Sequence, residues 1–96
     1  MDIITTKQKK AALYAKAIGH PIRMYVMELL SNQSCCYSGD LSEELPIAKS
    51  TLSQHLKELK NAGLINGEIE GPRIRYCINR ENWTEAKLLF GDLLKL

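Results

Sequence analysis

The sequence has few of the residues that build disulfide-stapled, metal-bound or membrane-spanning proteins. Three cysteines, three prolines and two histidines are spread over 96 residues, and aromatic residues make up only 6%. Its apolar runs are far shorter than the roughly 18 residues that a helix needs to cross a bilayer. Residues 1–10 lack the apolar stretch and small-residue cleavage site of a secretory signal. We therefore expect a cytoplasmic protein, without a membrane partner, whose cysteines are reduced thiols.

Residue combinations that are typical of catalysis are also missing. The sequence shows no nucleophile–base pair, no carboxylate pair, no glycine-rich phosphate loop and no closed set of metal ligands. The two histidines, His20 and His55, are not spaced as a metal-binding pair. An enzyme is thus the least expected class, and no cofactor is predicted to be required.

The remaining composition is that of one ordinary globular domain. With 45% hydrophobic and 25% charged residues and no repeats or linkers, residues 1–96 are predicted to form a single domain. Net charge is only +2, but its distribution is uneven, because residues 48–80 carry six basic and three acidic side chains. Positive charge that collects in one segment favours a nucleic-acid surface, although a solvated basic face would have the same pattern.

Helical signals occupy the first two thirds of the chain. A first helix is predicted at residues 6–18, with Ala11, Ala12, Ala15 and Ile18 on its apolar face. A second helix opens at Pro21, a residue favoured at the first helical position. A short acidic third helix is predicted at residues 39–45, because Pro46 would end it. A fourth helix is predicted from about residue 49 to residue 61, followed by Gly63 as a left-handed cap.

The fourth predicted helix has two different faces. Leu52, Leu56 and Leu59 recur at helical period and form an apolar stripe. The opposite face carries small polar and basic side chains, namely Lys49, Ser50, Ser53, Gln54, Lys57 and Lys60. Hydroxyl and amide groups can reach base edges, and lysines neutralise phosphates. The pattern predicts a helix-turn-helix in which this is the recognition helix.

The last third of the chain changes from helical to alternating period and back. Two strands around Gly71 and Pro72 predict a β-hairpin, the "wing" of a winged helix. Asn82 and Glu85 then suggest a capping box that opens a last, strongly apolar helix. The predicted fold is mainly α with a small β-hairpin (α+β): a winged helix-turn-helix of about five helices and a two-stranded wing. The terminal helices are predicted to form the interface of a homodimer, although the apolar stripe could also pack on its own core.

Several short motifs follow one another in an informative order. They are G-H-P-x-R at residues 19–23, D-L at 40–41, S-T-L-S-Q-H-L-K-E-L at 50–59, A-G-L-I at 62–65 and R-Y at 75–76 after a Gly-Pro turn. Together they resemble the ArsR/SmtB family of bacterial metal- and metalloid-responsive repressors, over nearly the whole chain. The resemblance implies a dimeric winged-helix repressor that binds an inverted-repeat operator in double-stranded DNA and releases it when an inducer binds.

The resemblance also implies which residues contact DNA. The matching recognition-helix positions are Lys49, Ser50, Thr51, Ser53, Gln54 and His55. The wing adds Arg73 and Arg75. For His55 two roles stay open at this point, direct contact with DNA and support of the helix.

The cysteines depart from the family's pattern. Many members have a C-x-C pair just before the D-L motif, where this chain has Tyr37 and Gly39. It has adjacent Cys35 and Cys36 instead, with Cys77 on the wing strand. Thiolates bind thiophilic ions, so these three cysteines are candidate ligands for an inducer, As(III) or Sb(III), which takes three thiolates in the family's arsenic sensors. Zinc is disfavoured, because four nitrogen or sulfur ligands are lacking.

Other interpretations remain open at the level of sequence. Cys35 and Cys36 could simply be small buried apolar residues. The same fold could instead respond to oxidation or reactive sulfur, with Cys35 or Cys36 pairing with Cys77 or across the dimer. A protein-interaction module that uses the winged helix without DNA belongs to a different class.

Overall fold

The structure is a computed structural model that describes residues 3–33, 36–71 and 74–95. Within these residues the chain forms four α-helices, one 3₁₀ helix and three short strands. In chain order they are α1 (Thr6–Ile18), α2 (Pro21–Ser31), β1 (Tyr37–Ser38), the 3₁₀ helix (Leu41–Glu43), α3 (Lys49–Asn61), β2 (Ile65–Glu68), β3 (Arg75–Ile78) and α4 (Arg80–Leu94). This is the predicted winged helix-turn-helix, mainly α with a small antiparallel sheet.

The first two helices begin at the predicted residues, and each has a side-chain cap. Thr5 and Gln8 form a reciprocal capping box at the start of α1. His20 is the N-cap of α2, and its Nδ1 accepts a hydrogen bond from the Ile22 amide at 3.1 Å. The inward face of α1 agrees with the prediction only in part: Ala11 is buried and Ile18 half-buried, but Ala12 and Ala15 are exposed. Tyr14 and Ala17, which were not predicted to face inward, are buried. Because Tyr14 supplies far more apolar area than an alanine, the helix turns this side chain inward.

One hydrophobic core joins all the helices to the sheet. Its side chains come from α1, α2, α3 and α4, the 3₁₀ helix and the strands; they include Tyr14, Val26, Met27, Leu30, Leu41, Leu56, Leu59, Leu64, Ile65, Tyr76 and Ala86. Leu52, Leu56 and Leu59 of α3 are all buried, as the apolar stripe predicts. The stripe therefore anchors α3 on the core and leaves its polar face outward.

The predicted third helix is shorter than expected. Instead of a helix over residues 39–45, the chain forms the 3₁₀ helix Leu41–Glu43. Asp40 caps it by accepting a hydrogen bond from the Ser42 amide at 2.9 Å, and the Pro46 ring prevents further helical turns. By contrast, α3 has the predicted bounds.

The sheet has one strand more than the predicted wing. Its order is β1-β3-β2, and both pairs are antiparallel. In the extra pair, Tyr37 lies opposite Tyr76 and Ser38 opposite Arg75. A two-residue strand is too short to show an alternating pattern, so this strand was not predicted. The added strand ties the segment before the helix-turn-helix directly to the wing.

The last helix begins earlier than predicted. Its N-cap is Asn79, which accepts a hydrogen bond from the Asn82 amide at 3.0 Å, and the helix starts at Arg80. The Asn82 side chain is not a cap; its Nδ2 donates to the Gly63 carbonyl at 2.8 Å. Asn82 thus fastens α4 to the turn that ends the recognition helix.

Candidate DNA-binding surface and thiol pair

The polar face of α3 has the exposure that contact with DNA requires. Lys49, Ser50, Thr51 and Gln54 are exposed, and Ser53 is half-buried. All five belong to the first two turns of the helix, so they form one continuous patch at its N-terminal end. In helix-turn-helix proteins this end of the recognition helix meets the base edges.

Lys49, the first residue of α3, is held by a carboxylate. Its Nζ lies 3.0 Å from an Asp40 carboxylate oxygen, although 79% of the lysine side chain remains exposed. Hydrogen bonds from Ser42, together with Lys49, hold the pKa of the Asp40 carboxyl below its usual range. Asp40 therefore links the 3₁₀ helix to the start of the recognition helix. The D-L motif had singled out Asp40 in the sequence, but it did not indicate that Asp40 pairs with Lys49.

Two other lysines of α3 connect the helix to the wing. Lys60 Nζ donates to the Gly67 carbonyl at 2.7 Å, and Lys57 Nζ lies 3.4 Å from a Glu70 carboxylate oxygen. Wing and recognition helix are thus fixed to each other by polar contacts as well as by the core. Arg75 is exposed on β3. Arg73, the other predicted wing contact, lies outside the described residues.

His55 does not stand free on the DNA-facing surface. It is half-buried, its Nδ1 lies 3.2 Å from Arg23 Nη1, and its ring centroid lies 4.3 Å from that of His20. Among its two predicted roles, these contacts favour support of the helix. Arg23 was not among the predicted site residues, although its place in the G-H-P-x-R motif was a signal that could have identified it.

Cys36 and Cys77 are brought together by the sheet. They are joined as a disulfide with their Cα atoms 4.3 Å apart. This corrects the expectation of reduced thiols at these two positions. The reason is strand register: continuing the pairing of Tyr37 with Tyr76 by one residue sets Cys36 opposite Cys77, in the close type of antiparallel pair. Because β1 was not predicted, this pairing was one of several open alternatives.

Of the three predicted metal ligands, Cys36 and Cys77 are paired with each other, and Cys35 lies outside the described residues. Over residues 3–33, 36–71 and 74–95, no group of three or more histidine, cysteine, aspartate or glutamate side chains is arranged to hold a metal ion. None of the helices in the same ranges has the length and apolar character needed to cross a membrane.

Comparison with known proteins identifies the family. Residues 20–67 match the family described as "Bacterial regulatory protein, arsR family". The chain is 33% identical to the HTH-type transcriptional regulator YgaV of Escherichia coli K12, over 76% of this chain and 74% of that protein. It is 30% identical to the HTH-type transcriptional regulator CmtR of Mycobacterium tuberculosis H37Rv, over 98% and 78% of the two chains. These relatives are regulators rather than enzymes.

A solved structure supports the same assignment. HlyU from Vibrio cholerae N16961 is similar with a TM-score of 0.70 and 28% identity, covering 98% of each chain. Sequence similarity, the fold and the exposed polar face of α3 thus indicate the same family. The protein belongs to the ArsR family and is a DNA-binding transcriptional regulator.

Proposed function

We propose that this regulator is a homodimeric repressor whose operator binding is controlled by thiol chemistry at Cys36 and Cys77. The observation that carries the proposal is the position of this pair, which joins the strand before the helix-turn-helix to the wing. Cys36 lies four residues before Asp40, the residue that holds Lys49 at the start of α3. A change in the Cys36–Cys77 pair would therefore move the segment that holds Lys49 at the DNA-binding surface.

Oxidation is the signal that this geometry favours. Two cysteine thiols lose two electrons and two protons and form one disulfide, while a small disulfide in the cell accepts both and becomes two thiols. In a cytoplasmic protein, such a disulfide is usually a transient, sensing state. Formation of the bond would fix β1 against β3, and reduction would free the two segments to move apart. The two states would present the wing and α3 differently to the operator.

As(III) or Sb(III) is the second candidate signal. Arsenite exchanges its three hydroxyl groups for three cysteine sulfurs and releases three water molecules, with no change in oxidation state. Cys36 and Cys77 would supply two sulfurs, and Cys35, the neighbour of Cys36 in the sequence, would supply the third. The proximity of Cys36 to Cys77 supports this site as well, because both ligands must lie within reach of one ion.

The dimer is proposed from an apolar cavity between the terminal helices. A cavity of about 580 Å³ opens between α1 and α4, lined mainly by apolar side chains. They include Ala11, Ala12, Ala15, Leu89, Phe90, Leu93 and Leu94. Leu93 and Leu94 are 66% and 71% exposed, which is costly in water for neighbouring leucines. A second copy of the same surface would cover them and set two recognition helices for successive major grooves of an inverted repeat.

The proposal is tested by fluorescence anisotropy on DNA from upstream of the protein's own coding region. The reduced protein is titrated onto the DNA, and the complex is then challenged separately with oxidised glutathione, arsenite and zinc. We expect oxidised glutathione to lower affinity at least tenfold, which corresponds to about 1.4 kcal/mol of coupling. Release by arsenite but not by oxidised glutathione would replace oxidation by the metalloid as the signal.

Serine variants distinguish the two chemistries. Cys36→Ser and Cys77→Ser should each bind DNA normally and lose the response to oxidised glutathione, whereas Cys35→Ser should keep it. Under the metalloid mechanism all three variants should lose the response to arsenite. A response that survives in both Cys36→Ser and Cys77→Ser would exclude this pair as the sensor. Failure to bind promoter DNA even at low salt would instead favour a protein-interaction role.

A further inference from the structure

Three side chains that can carry positive charge meet where α2 contacts the recognition helix. The Arg23 guanidinium and the His20 imidazole, both from the start of α2, face His55 in the middle of α3. The Nε atom of Arg23 is buried and has no hydrogen-bond partner within the described part of the chain. The hydrogen bond from Nη1 to His55 holds the guanidinium at this interface.

The donors and acceptors determine which nitrogen of His55 is unprotonated. A guanidinium has only donors, so Nδ1 of His55 must accept the hydrogen bond from Arg23 Nη1 across 3.2 Å. His20 is constrained in the same way, because its Nδ1 accepts from the Ile22 amide. The observed arrangement thus requires a neutral His55. A protonated His55 would have N–H groups at both ring positions and would face Arg23 donor to donor.

The charges around His55 also favour its neutral form. On the α2 side His55 faces His20 and Arg23, and on α3 itself Glu58 is the acidic group that acts on it. Burial, followed by His20 and Arg23, lowers the pKa of His55, and Glu58 offsets only part of this effect. Protonation would place a second cation beside Arg23 in a half-buried site, with exposed Glu58 as the compensating carboxylate.

We propose that Arg23 is a positioning residue that sets the recognition helix through neutral His55, and that protonation of His55 weakens operator binding. Loss of the Arg23 bond allows α3 to shift against α2, while the leucine stripe, the Lys49–Asp40 ion pair and the contacts with the wing still hold the helix on the core. Because exact placement of side chains decides recognition of bases, a small shift lowers specific affinity more than non-specific affinity. The proposal depends on DNA binding by α3.

The sign of the pH dependence separates this role from direct DNA contact. A histidine that touches a phosphate binds better when it is protonated, so affinity would rise as the pH falls. If His55 must stay neutral to accept the hydrogen bond from Arg23, operator affinity falls as the pH falls. Operator affinity should be measured by anisotropy between about pH 8 and about pH 5, a range that extends well below the ordinary pKa of histidine because the pKa of His55 is lowered. Scrambled DNA serves as the reference for general electrostatic effects.

The expected result is a fall of roughly threefold to tenfold in specific affinity toward the acidic end. The fall should be concentrated below about pH 6.5, because the lowered pKa of His55 keeps the ring neutral above that pH. In His55→Gln the specific affinity should no longer depend on pH, because an amide oxygen accepts a hydrogen bond from Arg23 without titrating. His20→Asn keeps an N-cap acceptor and should retain the pH dependence. Arg23→Met should bind more weakly, and Arg23→Lys should recover part of the loss.

A second measurement tests the contact without DNA. Nitrogen chemical shifts of the His55 ring report whether Nδ1 is unprotonated, and the Arg23→Met substitution should move them. Unchanged shifts in that folded variant would overturn the contact, even if the protein binds no DNA at all. Affinity that rises on acidification in the wild type but not in His55→Gln would overturn the positioning role in favour of direct contact. Failure to bind DNA at every pH would count against the proposed function alone.

Discussion

At the level of single residues, two buried tyrosines differ in whether their hydroxyl groups have a partner. Tyr14 donates to a Glu85 carboxylate oxygen at 2.6 Å. Burial, together with this carboxylate, raises the pKa of Tyr14 to about 12. The Tyr76 hydroxyl is buried and finds no hydrogen-bond partner among the residues that the structure describes. The same chemical group is therefore expected to stabilise the fold at one position and to cost stability at the other.

We predict opposite effects of removing the two hydroxyl groups. Tyr14→Phe should lower the free energy of unfolding by about 1 kcal/mol or more, because Glu85 loses a charge-assisted donor. Tyr76→Phe should leave that free energy unchanged or raise it by up to about 1 kcal/mol, because an unsatisfied buried group is removed. Urea denaturation of both variants under reducing conditions provides the comparison. A larger loss for Tyr76→Phe than for Tyr14→Phe would contradict the assignment.

At the level of secondary-structure elements, α3 separates stability from recognition by its two faces. Gln54→Ala removes an exposed amide from the polar face and leaves the leucine stripe intact. An amide contact with adenine contributes about 1–3 kcal/mol, so specific operator affinity should fall roughly tenfold or more. The melting temperature should not change. Thr84→Ala, at an exposed position on α4, is the matched control and should bind as the wild type does.

The wing requires glycine at position 67, because no other residue fits there. Gly67 in β2 has φ of 111°, and a Cβ atom there would collide with the Arg75 carbonyl oxygen across the sheet. Gly67→Ala should therefore destabilise the protein by more than about 1 kcal/mol, since the backbone conformation is itself strained for other residues. Gly91 lies in α4 with open space around its Cα, so Gly91→Ala should be neutral or stabilising. Thermal melts of the two variants test the difference.

At the level of the whole molecule, Leu93 and Leu94 of α4 would stay exposed to water in a monomer, whereas a dimer would bury them. Leu93→Glu would place a charge in the proposed interface, where its desolvation is unfavourable. We expect a dimer-to-monomer shift in sedimentation velocity and a large loss of affinity for the inverted repeat, because two linked half-sites become one. Lys87→Glu, at an exposed position outside the apolar cavity, should remain dimeric. A dimeric Leu93→Glu variant would place the interface elsewhere.

The sequence by itself determined the main helices, the recognition helix and the family. Each rests on local signals: Pro21 at the start of α2, Leu52, Leu56 and Leu59 at helical period, and Gly63 after the last turn of α3. Local hydrogen bonds and burial of one face are enough to fix such elements. The winged-helix class followed because the period changes after Gly63.

Only the tertiary structure decided which distant residues meet. Cys36 lies opposite Cys77 because the short strand β1 adds to β3, and Arg23 reaches His55 because α2 crosses α3. The pairing of Lys49 with Asp40 arises in the same way. Strand register and helix crossing depend on how the whole core packs, so no local pattern in the sequence specifies these contacts. The DNA-facing surface was thus readable from one helix, whereas the residues proposed to control it became visible only when the elements were assembled.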